Sequence, residues 1–176
     1  MTQDRIQYRE YYVTIDSTDR NRSLWPDSGS FQVKMQPEDN YSGATINRAF
    51  KNVRSIEVMN VIYPNVNNVT DQMYLYLCFP EVDGVFEATN YIGNKALAKL
   101  IPSTLVGNYI SIHFDKGERP KRYYPFHGVR IDKLTIQFRK NNGELFIFGP
   151  DNGQSPNPLL QTSITLRIIV RDKVIP

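Results

Sequence analysis

Apolar residues recur at every second position over much of this chain. Phe31, Val33 and Met35 alternate with Gln32, Lys34 and Gln36. Ile110, Ile112 and Phe114 alternate with Ser111, His113 and Asp115. Leu134, Ile136 and Phe138 alternate with Thr135, Gln137 and Arg139. Ile164, Leu166, Ile168 and Val170 alternate with Thr165, Arg167, Ile169 and Arg171. A strand points successive side chains to opposite faces, so this period predicts half-buried antiparallel strands. Residues 11–15 (YYVTI) add a short β-rich run. Residues 53–63 and 73–79 are apolar on both faces. That predicts central strands, or strands covered by another subunit.

Turn chemistry separates these runs. Asn142-Gly143 lies between 134–140 and 145–148 and predicts a hairpin. Asp83-Gly84 lies between 74–79 and 85–88 and is a weaker signal of the same kind. Residues 25–29 (WPDSG) and 150–158 are loop-rich. The one helical candidate is 94–101 (NKALAKLI), about two turns, stopped by Pro102. The pattern predicts an all-β domain of eight or nine strands, a β-sandwich or jelly roll of two packed antiparallel sheets with at most one short helix.

Length and composition narrow the function classes. A chain of 176 residues fits a single domain spanning 1–176. Eleven Tyr and nine Phe argue against disorder. One Cys excludes an internal disulfide framework and CxxC zinc sites. Two His, at 113 and 127, exclude most histidine-rich metal sites. No run of 18 apolar residues exists, so no membrane-spanning helix is predicted. The start, MTQDRIQYREYY, is polar and shows no secretion signal, which predicts a soluble protein of a reducing compartment.

The residues offer little for catalysis. No G-x-S-x-G occurs, and Cys78 in MYLYLCF reads as a small buried hydrophobe. His113 alternates away from its apolar face, so a surface or interface position is predicted. Asp16 and Asp19 in DSTDRNR do not match a calcium-loop spacing. Asp and Ser there are better suited to fixing a turn, with Arg20 and Arg22 free to pair with carboxylates across an interface. No catalytic residue, metal ligand or cofactor is assigned, and the chain is read as a non-enzyme.

The net charge of +3 is uneven. Residues 116–130 (KGERPKRYYPFHGVR) carry five cations against Glu118, and the other 161 residues sum to −1. Basic residues interleaved with aromatics can hold phosphates and stack bases. No accompanying nucleic-acid motif is present, whereas Tyr, Phe and Arg are enriched at protein contacts. Arg119, Lys121, Arg122, Tyr123, Tyr124, Phe126 and Arg130 are therefore read as interface residues, with no specific nucleic acid.

The order of three blocks resembles a known family. The first is 12–35 (YVTIDSTDRNRSLWPDSGSFQVKM), with an I-D-S-x-x-R turn and an F-x-V strand. The second is 51–65 (KNVRSIEVMNVIYPN). The third is 131–148, I-D-x-L-T-I-x-F followed by G-x-L-x-x-F, before a last S-x-T-L-x-I strand. This set resembles the small jelly-roll minor capsid and penton proteins of nucleocytoplasmic large DNA viruses. The resemblance implies a single jelly roll and a structural role in the virion, assembled in the host cytoplasm. A penton implies a homo-pentamer touching the major capsid protein and other minor capsid proteins. Two alternatives are a minor capsid protein that cements capsomers and a glycan- or receptor-binding β-sandwich. The second alternative would use Trp25, Asp27 and the 65–68 loop.

Overall fold

The computed structural model describes residues 6–38, 40–124 and 128–172. Its strands are β1 (Gln7–Asp16), β2 (Ser30–Met35), β3 (Ala44–Ile46), β4 (Phe50–Pro64), β5 (Leu75–Cys78) and β6 (Ala96–Leu100). They continue with β7 (Leu105–Val106), β8 (Tyr109–His113), β9 (Lys121–Tyr123), β10 (Val129–Ile131), β11 (Lys133–Arg139) and β12 (Ser163–Asp172). Sheet A has the order β1-β12-β4-β8-β7, with β9 and β10 also paired to β4. Sheet B has the order β3-β2-β11-β5-β6. The eight principal strands form two layers, 1-12-4-8 and 2-11-5-6, and the chain crosses repeatedly between them. That is the path of a single jelly roll. The short β3 runs parallel to β2, a departure from a purely antiparallel sandwich.

The period-two runs became strands for the expected reason. In β2 and β11 every second side chain is buried, as it is along most of β12. These inward residues meet in one core between the sheets. The two-sided apolar runs are central. β4 carries β12 along one side and β8, β9 and β10 in turn along the other. β5 lies between β11 and β6, and all four of its residues are buried.

Two local expectations are corrected. Residues 94–101 form no α-helix; a 3-10 turn (Gly93–Lys95) leads into β6. Ala, Leu and Lys favour helix, but Ala96, Leu97, Ala98 and Leu100 are fully buried against β5, and packing overrides propensity. The Asp83-Gly84 turn does not start a hairpin, because the strand that returns to β5 is β6. Gly84 is instead a point of close approach, where a Cβ would stand 1.9 Å from the Asn94 carbonyl oxygen. The Asn142-Gly143 turn does close, with Gly143 N–H donating to the Lys140 carbonyl at 3.0 Å and Lys140 N–H donating to the Glu144 carbonyl at 2.8 Å. Its second arm makes one bridge, Arg139 to Leu145, with Phe146 N–H donating to the Phe138 carbonyl at 2.8 Å, and Phe146 and Phe148 are buried in the core.

A buried ion pair organises one end of the sandwich. Arg20, 4% exposed, sits in the turn after β1. Its Nε donates to the Trp25 carbonyl at 2.8 Å. Nη1 donates to the Ser17 carbonyl and to Gln161 Oε1, each at 2.6 Å. Nη2 donates to the Pro26 carbonyl at 3.1 Å and to Asp151 Oδ2 at 3.2 Å. Every N–H of the guanidinium is thus engaged. Arg22 reaches the other oxygen of Asp151 at 3.4 Å. Both arginines therefore pair within the chain and not across an interface, because the 150–158 loop brings Asp151 back to them. Burial pushes the Arg20 pKa down, and Asp151 opposes that shift.

The aromatic core lies beside this knot. Tyr63, Phe138, Phe146 and Phe148 pack with ring centroids 5.1–6.0 Å apart. The Tyr63 hydroxyl is buried with no hydrogen-bond partner among the described residues, and burial pushes its pKa far up. Two opposite effects on stability are expected in urea unfolding. Asp151→Ala should cost about 3–5 kcal/mol, because it leaves the Arg20 charge buried. Tyr63→Phe should be neutral or stabilising by up to about 1–3 kcal/mol, because it removes an orphaned polar group. A destabilising Tyr63→Phe would show that the hydroxyl has a partner.

Candidate functional site

The outer face of sheet A carries a connected set of ion pairs. The register sets Arg167 of β12 opposite Glu57 of β4, and Glu57 opposite Lys121 of β9. Glu10 of β1 lies one diagonal step from Arg167. The four side chains form a ladder of alternating charge across four strands. Arg167 Nη1 donates to Glu57 Oε2 at 3.0 Å, and its Nε donates to Glu10 Oε2 at 3.0 Å. Its Nη2 pairs with the other Glu10 oxygen. Lys121 Nζ lies 3.1 Å from Glu57 Oε1, and Arg119 Nη1 lies 3.9 Å from Glu57 Oε2.

Glu57 is the pivot, a carboxylate only 3% exposed under three cations. Burial alone would raise its pKa. Hydrogen bonds from Arg167 and Lys121 outweigh that and hold it below the ordinary carboxylate range. Glu10 is likewise held low, chiefly by Arg167. The Lys121 pKa is raised, first by its hydrogen bond to Glu57.

The basic segment 116–130 is only partly a loop, because it contains β9 and β10. Alternation along β9 divides its aromatic residues. Tyr123 points out and is 65% exposed, whereas Tyr124 turns into the core. Arg122 reaches Asp83 of the loop after β5, at 3.3 Å. Arg119 Nε also donates to the Phe114 carbonyl at 3.2 Å. Arg130, on β10, pairs with Asp132 two residues on. Phe126 and His127 lie outside the described residues. Of the seven residues read as an interface, four are cations with internal acidic partners (Arg119, Lys121, Arg122 and Arg130). Tyr123 alone presents its ring outward among the described ones.

The remaining candidates occupy structural posts. Asp16 accepts from Thr18 N–H at 3.0 Å and fixes the turn that leads to Arg20. Cys78 is buried, and burial pushes its thiol up to about 11, which leaves little thiolate. His113 stands exposed on β8. Asp27 accepts from Gly29 N–H at 2.7 Å and from Gly149 N–H at 2.6 Å. Asn67 donates to the Ile147 and Phe148 carbonyls, each at 2.9 Å. Trp25 packs against the core. The polar groups suggested for a glycan site thus hold loops in place.

Sequence reasoning missed Glu57, Arg167 and Glu10. A faint signal existed, since Glu57 is the only acid inside the apolar 53–63 run and Arg167 falls on the polar phase of β12. Only the register makes them neighbours. No protein-family model matches the chain, and no curated protein matches it.

The ladder should make the fold acid-sensitive. Glu57 and Glu10 bind protons less readily folded than unfolded, so their contribution is present above the ordinary carboxylate range. It is lost as pH falls through their lowered folded values. Glu57→Gln should cost about 1–3 kcal/mol at pH 7. It should also flatten the loss of stability as pH falls through and below the ordinary carboxylate range, followed by urea midpoints over that fall. A variant with the wild-type slope would exclude Glu57 as a source of the effect.

Proposed function

We propose that this chain is a structural subunit of an icosahedral large DNA virus capsid, a penton at the five-fold vertex. A minor capsid protein that cements capsomers is the neighbouring reading. The observation that carries the proposal is where the three sequence blocks fall in the fold. The I-D-S-x-x-R turn is the buried Arg20 knot. The second block, 51–65, is β4 from its second residue to one residue past its end, the strand that pairs with β12, β8, β9 and β10 in sheet A. The third covers β11 and its Gly143 turn, after which the chain enters β12. The resemblance therefore rests on the residues that build a jelly roll.

The two edges of sheet A also suit assembly. β1 is a ten-residue edge strand, bonded on one side by β12, and it presents Tyr8 and the 62% exposed Tyr12. The opposite edge, β7, presents Leu105 and Val106. A closed ring needs two different complementary patches on each subunit, and these edges supply two. Tyr123 and the charged ladder lie between them as a further contact surface for the major capsid protein.

Sedimentation and native mass of the purified chain test the reading. A pentamer is expected, and Tyr8→Ser with Tyr12→Ser should shift it to monomer while the melting temperature hardly moves. Exposed substitutions change stability by about 0.5 kcal/mol or less, whereas an interface tyrosine can contribute about 2 kcal/mol or more. A wild-type chain that stays monomeric at high concentration, together with vertex density that cannot hold this fold, would remove the penton role.

A further inference from the structure

The described structure gathers cations at a second place, away from the segment where the sequence concentrates them. Arg119, Lys121, Arg122 and Arg130 of the 116–130 segment each have an acidic partner. A second basic set, scattered in sequence, converges at the end of sheet A where β1 begins and β12 ends. There a groove of about 630 Å³ is lined by Arg9, Arg48, Lys51 and Arg171, with Asp172 as its one acid among the described residues. Its lining carries a net +3, as much as the whole chain.

Part of this groove is preorganised. Asp172 Oδ2 holds Arg9 Nη2 at 2.8 Å. Arg48 lies over the Tyr11 ring, 4.6 Å from its centroid, and donates to the Tyr11 hydroxyl at 3.1 Å. Lys51 and Arg171 have no ion-pair partner among the described residues. Gln36 and Asn52 line the same groove, and both hold left-handed backbone, with φ of 46° and 55°. Backbone strain in non-glycine residues gathers at ligand sites, and a left-handed glutamine is the less common of the two. Two paired guanidinium groups, two cations without an ion-pair partner among the described residues, and the amides of Gln36, Asn47 and Asn52 make a donor set with little to offer an apolar ligand.

We infer that this groove binds a multiply charged oxyanion, a phosphate or sulfate ester carried on a small molecule. Arginine matches such groups with paired N–H donors, and free lysine adds charge. The groove exceeds one phosphate in size, which leaves room for the body that bears it.

Amide NMR shifts of the full chain, titrated at low salt with inorganic pyrophosphate and separately with a disulfated disaccharide, test this. Saturable shifts around Arg9, Arg48 and Lys51 are expected, and the tighter of the two probes identifies the ester. Lys51→Gln with Arg171→Gln should weaken binding at least roughly tenfold, since one hydrogen bond to a charged group is worth about that much. Lys116→Gln should leave it unchanged. The melting temperature of each variant reports whether it is folded, and Lys51→Glu alone should abolish binding if the double variant is not. The inference is overturned by shifts that do not saturate with either probe. It is equally overturned by variants that bind like wild type, or by a DNA oligonucleotide that binds where both small probes fail.

Discussion

A guanidinium removed from water costs several kcal/mol unless every donor is met, and Arg20 is such a group. Its five N–H bonds end on Ser17, Trp25, Pro26, Asp151 and Gln161. Three segments far apart in sequence must therefore arrive together: the turn after β1, the 150–158 loop and the entry to β12. Ser17 carries the connection further. Its backbone N–H donates to the Thr162 carbonyl, and its hydroxyl bonds Gln161 and Thr162. The β1–β12 ladder is thus continued into the knot. An apolar substitute of the same shape could match the pair in stability, but it would not dictate which loops meet.

What was legible in the sequence was the local part of this arrangement. Period two survives in any half-buried strand, so β2, β8, β11 and β12 could be read directly. The Asp16–Ser17 turn could be read too, because its hydrogen bonds span only a few residues. β6 could not, since alanine and leucine have no β preference and take their conformation from the β5 surface they cover. The ladder could not be read either. Glu10 and Arg167 are 157 residues apart, and Arg167 and Glu57 are 110 apart. Register decides such pairs, and register is a property of the assembled sheet.

The same reasoning explains why the charge map changed. A basic run in sequence suggests a basic surface only if its acids stay away. Here Glu57 and Asp83 come from other strands and loops to meet Arg119, Lys121 and Arg122. Arg9, Arg48, Lys51 and Arg171 are unremarkable in sequence, yet the fold gathers them. Sheet A therefore carries exposed tyrosines and a neutralised ladder on its outer face, with a separate cationic groove at its end.

The position of β12 has a consequence for how the chain comes to be folded. It lies between β1 and β4 in sheet A, yet it leaves the ribosome after both. Until it emerges, the two strands it joins have no contact through the sheet. Sheet A cannot zip up in the order of synthesis, and its closure waits on contacts of the longest sequence separation, which form slowly. A chain cut short before residue 163 would lack the strand on which β1 and half of β4 depend. It would also lack the partner of Arg20 at Gln161 if cut slightly earlier. Any assembly that selects folded subunits would thereby discard incomplete ones without a separate inspection step.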